Sequence, residues 1–113
     1  MGLDLTLVVN AYRSDDNMPL AYERLRLDAN YKMFDSIKDA GAVPLRANRE
    51  LRWYGDEGIE RRQDDPYGDR ITSIRAKQVA DAMSTHKLTD KNIAVFAYMK
   101  ALPPDTEIFL WWH

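Results

Sequence analysis

The side chains with the widest chemical repertoire are scarce in this chain. There is no cysteine, and the two histidines are His86 and His113. Disulfides, thiolate zinc sites, iron–sulfur clusters and a cysteine nucleophile therefore have no residue to carry them. A zinc site would have to draw its remaining ligands from carboxylates. The adjacent acids Asp15-Asp16 and Asp64-Asp65 both lie in turn-like stretches. Neighbours on an extended segment point to opposite sides, so neither pair is disposed to chelate one ion. No D-x-D-x-D-G calcium loop, G-x-x-x-x-G-K-[ST] loop or G-x-G-x-x-G turn occurs. Gly55 and Gly58 enclose Asp56 and Glu57, which would repel a phosphate. Ser14, Ser36, Ser73 and Ser84 are the serines, and none stands in a G-x-S-x-G context. No metal, cofactor or catalytic residue is expected.

Charged residues inside apolar patterns are more informative. Asp4 interrupts the opening apolar run, and Arg49 falls among Leu45, Ala47, Leu51 and Trp53 at alternating positions. Arg49 is the natural complement of a covered Asp4. A buried ion pair fixing strand register is the structural reading. An enzyme or binder acting on a small anionic ligand in a pocket near Asp4 and Arg49 is the functional one.

A second constellation is denser. Seven arginines, namely Arg46, Arg49, Arg52, Arg61, Arg62, Arg70 and Arg75, are interleaved with Trp53, Tyr54 and Tyr67. Arginine and aromatic rings on one sheet could stack nucleic-acid bases. The same window holds Glu50, Asp56, Glu57, Glu60, Asp64, Asp65 and Asp69, so its net charge is zero. Signs that cancel locally favour a charge-laced exposed hairpin, each cross-strand pair contributing about 0.2–1 kcal/mol. RNA or single-stranded DNA binding through residues 46–75 is the alternative.

The elements that must position these groups follow from periodicity. Residues 3–12 alternate, with Leu3, Leu5, Leu7 and Val9 on one face, and predict a strand. Val8 is apolar on the other face, which places the strand in the middle of a sheet. Residues 13–19 read as a loop. Residues 20–28 fit a strand or a helical face, and a strand is preferred. A helix follows, capped by Asp28 and ended by Gly41. Residues 42–54 read as one strand, Gly55–Gly58 as a turn and 59–63 as the returning arm of a hairpin. Residues 64–69 form a further turn and 70–75 a short strand. Helices are predicted over 76–85 and 88–102; the second is apolar nearly all round, which predicts burial on more than one side. Pro103 and Pro104 end it. Residues 106–113 (TEIFLWWH) close the chain as a strand, beside the first and in the centre of the sheet. Both of its faces are large and apolar, so both need cover, from the fold or from a partner such as a second copy in a homodimer.

These elements fit a single α+β domain over residues 1–113, a mainly antiparallel or mixed sheet packed against two to three helices. The 113 residues are 45% hydrophobic and 30% charged, enough for one core. A formal charge of −2 gives no global field to hold nucleic acid. No apolar run approaches the ~20 residues of a membrane span, and MGLDLTLVVN lacks a basic leader. A cytoplasmic protein without membrane contact is expected.

The opening MGLDLTL resembles that of small uncharacterised phage and prophage proteins, which share an MGLD-type N-terminal strand. The stretch from Trp53 through Gly55, Asp56 and Gly58 to Ile59, the Asp65-Pro66-Tyr67-Gly68 turn and the aromatic last strand resemble them too. The resemblance implies an accessory protein in an infected or lysogenic cell that binds a host or defence protein and does no catalysis. The expected binding surface is Arg49, Arg52, Trp53, Tyr54, Asp56, Arg61, Arg62 and Tyr67.

Overall fold

The computed structural model describes residues 3–11 and 17–113. The first strand, β1 (Leu5–Asn10), pairs antiparallel with β2 (Ala21–Arg26) on one side and with the last strand, β7 (Glu107–Trp112), on the other. Beyond β7 come β6 (Thr72–Arg75) and the two-residue β3 (Val43–Pro44), giving the order β2-β1-β7-β6-β3. The terminal strands thus sit side by side, as their apolarity requires. The hairpin of β4 (Leu51–Gly55) and β5 (Gly58–Arg62) forms a separate two-stranded sheet. The fold is α+β.

The central strands are apolar on both faces because both faces are covered. Leu5, Leu7 and Val9 of β1, with Ile108 and Leu110 of β7, pack under the helices α1 (Tyr31–Asp39), α2 (Ala76–Met83) and α3 (Asp90–Ala101). Val8 and Phe109, directly opposite each other on the reverse face, meet Leu45, Leu51, Trp53 and Ile71. Ile71 and Ile74 accordingly belong to different layers. Each of these fully buried aliphatic or aromatic side chains contributes about 1.5–3 kcal/mol of transfer free energy.

Four local expectations need correction. The cap of α1 is Asn30, whose side chain accepts from the Met33 amide at 3.1 Å, and not Asp28. Asp28 instead accepts the Thr89 hydroxyl at 2.7 Å, and Asn92 bonds its backbone, so it ties this segment to α3. Residues 42–54 are not one strand. After β3 the chain turns at 46–49, where the Arg49 amide donates to the Arg46 carbonyl, and only then enters β4. That break lifts the hairpin out of the main sheet and folds it across the reverse face. The helix α3 is buried along one stripe, Asn92, Val95 and Met99, and leaves Ile93, Ala94, Ala97 and Ala101 exposed. It closes the outside of the helical layer, so its apolar circumference is not matched by burial. Last, Asp4 pairs with Arg26 at 3.0 Å, and not with Arg49.

The residue after the C-cap of α1, Gly41, has φ +120°, the left-handed region that terminates helices. No helix among the described residues is long and apolar enough to cross a membrane.

Candidate functional site

The β4–β5 hairpin is closed by Asp56 and Glu57 between the paired Gly55 and Gly58. Pairing sorts its residues by face. Leu51 opposite Arg62 and Trp53 opposite Glu60 turn inward; Arg52 opposite Arg61 and Tyr54 opposite Ile59 turn outward. The hairpin is anchored along β4. Amides of Glu50 and Arg52 donate to the carbonyls of Asn17 and Pro19, and the Arg52 Nε donates to the Met18 carbonyl at 2.9 Å.

The inward residues build a packed seam. Trp53 is only 6% exposed and meets Trp111 edge to face at 4.6 Å between ring centroids. Guanidinium carbons of Arg24 and Arg62 lie 5.1 and 5.5 Å from the centre of the Trp53 ring. The indole N–H donates to Glu60 at 2.6 Å, and Arg62 donates to the same oxygen at 2.7 Å. The indole bond, then the Arg62 bond, hold the Glu60 carboxyl below its ordinary range. The Glu60 side chain reaches Trp53 by lying across Gly55, where an added Cβ would stand 2.5 Å from its carboxylate. A glycine at 55 is therefore part of the seam and not only of the turn.

Arg49 is likewise an inward residue. Its two terminal nitrogens each donate at 2.7 Å to one oxygen of Glu107, a bidentate pair, and it leans on the Phe109 ring. Burial pushes the Glu107 carboxyl up; the bonds and charge of Arg49, with bonds from Ser73 and Asn10, outweigh burial and hold it below its ordinary range. The arginine inside the apolar pattern is thus a part-buried ion pair between the 45–50 loop and β7. The partner is Glu107, which the sequence reading did not consider.

The eight expected surface residues therefore divide. Arg49 and Trp53 are committed to the interior, Arg52 is half-buried on the Met18 carbonyl, and Arg62 covers Trp53. Tyr54, Asp56, Arg61 and Tyr67 are exposed. Tyr67 stands on the 64–69 turn, where the part-enclosed Asp65 carboxylate accepts the amides of Tyr67 and Asp69. Two further exposed apolar groups join them. Ile59 is the cross-strand neighbour of Tyr54, and Tyr22 of β2 borders a shallow groove of about 350 Å³ with Arg24, Trp53 and Tyr54. Tyr22 could have been found by extending the Arg24/Arg26 alternation of β2 back by two residues.

Trp53, covered by Trp111, Arg24 and Arg62, is closed to base stacking, whereas Tyr54 and Tyr67 stay exposed. Among the described residues no group of three or more histidine, aspartate or glutamate side chains is arranged to hold a metal ion. A serine–histidine contact does occur, Ser36 Oγ to His86 Nε2 at 2.8 Å. The same hydroxyl donates to the Lys32 carbonyl at 3.1 Å. The serine–histidine contact ties α1 to the segment that follows α2.

No protein-family model, curated protein or solved structure matches the chain.

Proposed function

We propose that the protein acts by docking onto another protein through the outward face of the β4–β5 hairpin, as a non-catalytic interaction module or inhibitor. One observation carries this reading. Tyr54 and Ile59, side by side across the hairpin, are 64% and 55% exposed although every apolar residue behind them is packed. A rigid tyrosine beside an aliphatic side chain, rimmed by arginines, has the composition of an interface anchor. Arg52 and Arg61 supply that rim, and Tyr22, across the groove beside Trp53, extends it. The seam beneath holds the face in one shape, which lowers the ordering cost of binding. The partner proposed is a host or defence protein, as the resemblance to small phage and prophage proteins implies. The nucleic-acid alternative would use the exposed Tyr54 and Tyr67 with Arg61; the acids interleaved with the arginines, Asp56, Glu57 and Glu60 among them, weigh against it, and salt-sensitive RNA binding lost in Arg61→Ala would favour it instead.

The test is comparative capture. Tagged protein and a Tyr54→Ala/Ile59→Asp variant are expressed in the natural host and purified side by side. A stoichiometric partner retained by the wild type and by a Lys77→Ala control, and lost by the hairpin variant while circular dichroism shows it folded, is the expected result. Equal recovery by both proteins, or turnover of a small substrate with no partner recovered, would overturn the reading.

A further inference from the structure

Beside β3, β6 and the start of α2 lies a half-open hollow of about 620 Å³. That size is within the ~300–1,000 Å³ usual for small-molecule sites. Its floor is Ser73 and Glu107, its walls include Arg46 and Arg49 of the 45–50 loop, and its rim includes Arg75 and Gln78 at the start of α2. Three arginines face one carboxylate in a chain whose formal charge is −2. An anion drawn here is drawn by the local groups and not by the whole molecule.

The hydrogen-bond inventory sharpens the sign. Glu107 is consumed, since Arg49 takes both its oxygens and Ser73 and Asn10 bond it as well. It has little accepting capacity left for a cationic ligand. Arg46 and Arg75 are exposed, and among the described residues neither has a carboxylate within 4.0 Å. Arg75 is oriented by one bond to the Asp105 carbonyl, which leaves its charge uncompensated. Gln78 is oriented too. Its Oε1 accepts the Arg75 amide at 3.0 Å, which turns its NH₂ toward Gly41 on the wall of the hollow. The charged groups of the hollow with unspent capacity are thus two guanidiniums, with the Gln78 NH₂ as a neutral donor beside them.

We propose that this hollow binds the phosphate group of a small molecule, with Arg46 and Arg75 as the contacting cations, Gln78 as a neutral donor and the Arg49–Glu107 pair as a rigid floor. Guanidinium forks match phosphate oxygens in pairs. The site is separate from the Tyr54/Ile59 face, and the two readings stand or fall independently.

The experiment is isothermal titration of the full chain with pyrophosphate and with adenosine 5′-diphosphate, both without metal. Arg46→Ala/Arg75→Ala is the test variant and Arg61→Ala is the charge control. Both substituted arginines are exposed, and circular dichroism confirms folding. Saturable binding to the wild type and to Arg61→Ala, weakened at least tenfold in the double variant, is expected. Tighter binding of the nucleotide would place the phosphate on a nucleoside, and equal binding would mean that the phosphates alone are read. Absence of binding of both probes, affinity unchanged in the double variant, or equal weakening in Arg61→Ala would overturn the proposal.

Discussion

Replacing Arg49 with alanine should destabilise the fold in a way that depends on pH. The substitution removes both hydrogen bonds that Glu107 receives from the guanidinium and leaves its carboxylate with Ser73 and Asn10. Breaking a fully buried pair costs about 3–5 kcal/mol, because a charge is left uncompensated. Here the side chains retain 13% and 26% of their exposure, so water partly replaces the lost partner. The expected loss at neutral pH is about 1.5–3 kcal/mol. In the wild type the Glu107 pKa lies below its ordinary value of 4.5, so the stability it contributes is present above that value and lost as pH falls through the folded one. In the variant the lowering by Arg49 is gone and burial is opposed only by Ser73 and Asn10, so the Glu107 pKa rises from its wild-type position and the carboxylate contributes less to stability at neutral pH. The difference between the two proteins should therefore shrink on acidification, toward the ~0.5–1.5 kcal/mol of a lost hydrogen bond. Urea melts of both proteins at several pH values between neutrality and acid measure it. An apolar pair, Arg49→Met with Glu107→Leu, should recover most of the loss. A difference that is constant with pH, or below about 0.5 kcal/mol at neutral pH, would refute the argument that this pair holds the loop against β7.

Other outcomes follow from single contacts. Trp53→Ala empties the space against Trp111 and should cost about 3–5 kcal/mol, read as a lower urea midpoint. Gly41→Ala places a Cβ at φ +120° and 2.6 Å from the Gln78 amide nitrogen; about 1–2 kcal/mol is expected from the backbone alone, checked by thermal melting. Tyr54→Ala/Ile59→Asp, by contrast, removes only an exposed cross-strand pair and should cost about 1 kcal/mol or less, again read from the urea midpoint.

Much of the architecture is legible in the residues because it rests on local periodicity. The alternation of β1 and β7, two-sided where it is fully covered, marks both as central strands. The Gly55–Gly58 turn and the i, i+3, i+4, i+7 stripe of α2 lie at short range and were placed correctly. Features decided at long range were not legible. Arg49 and Glu107 are 58 positions apart, and no local pattern says that a loop arginine will meet the first residue of the last strand. The break after Pro44 was concealed because residues 45–53 keep period-two apolarity while the chain turns. The apolar circumference of α3 predicts burial, yet burial depends on what lies outside it, and only one stripe is fully buried. The candidate surface was half legible for the same reason. Composition placed arginine and aromatic residues on a hairpin, but face assignment depends on which side the hairpin folds over, and that turned Trp53 inward and Tyr54 outward.

The central claim is that the outward hairpin face is the docking surface, and amide hydrogen exchange on the protein with and without its captured partner tests it most directly. Slowed exchange confined to β4, β5 and the neighbouring stretch of β2, with α1 to α3 unchanged, is the result the account requires. Protection centred on the helical layer, with the hairpin exchanging as in the unbound protein, would contradict it.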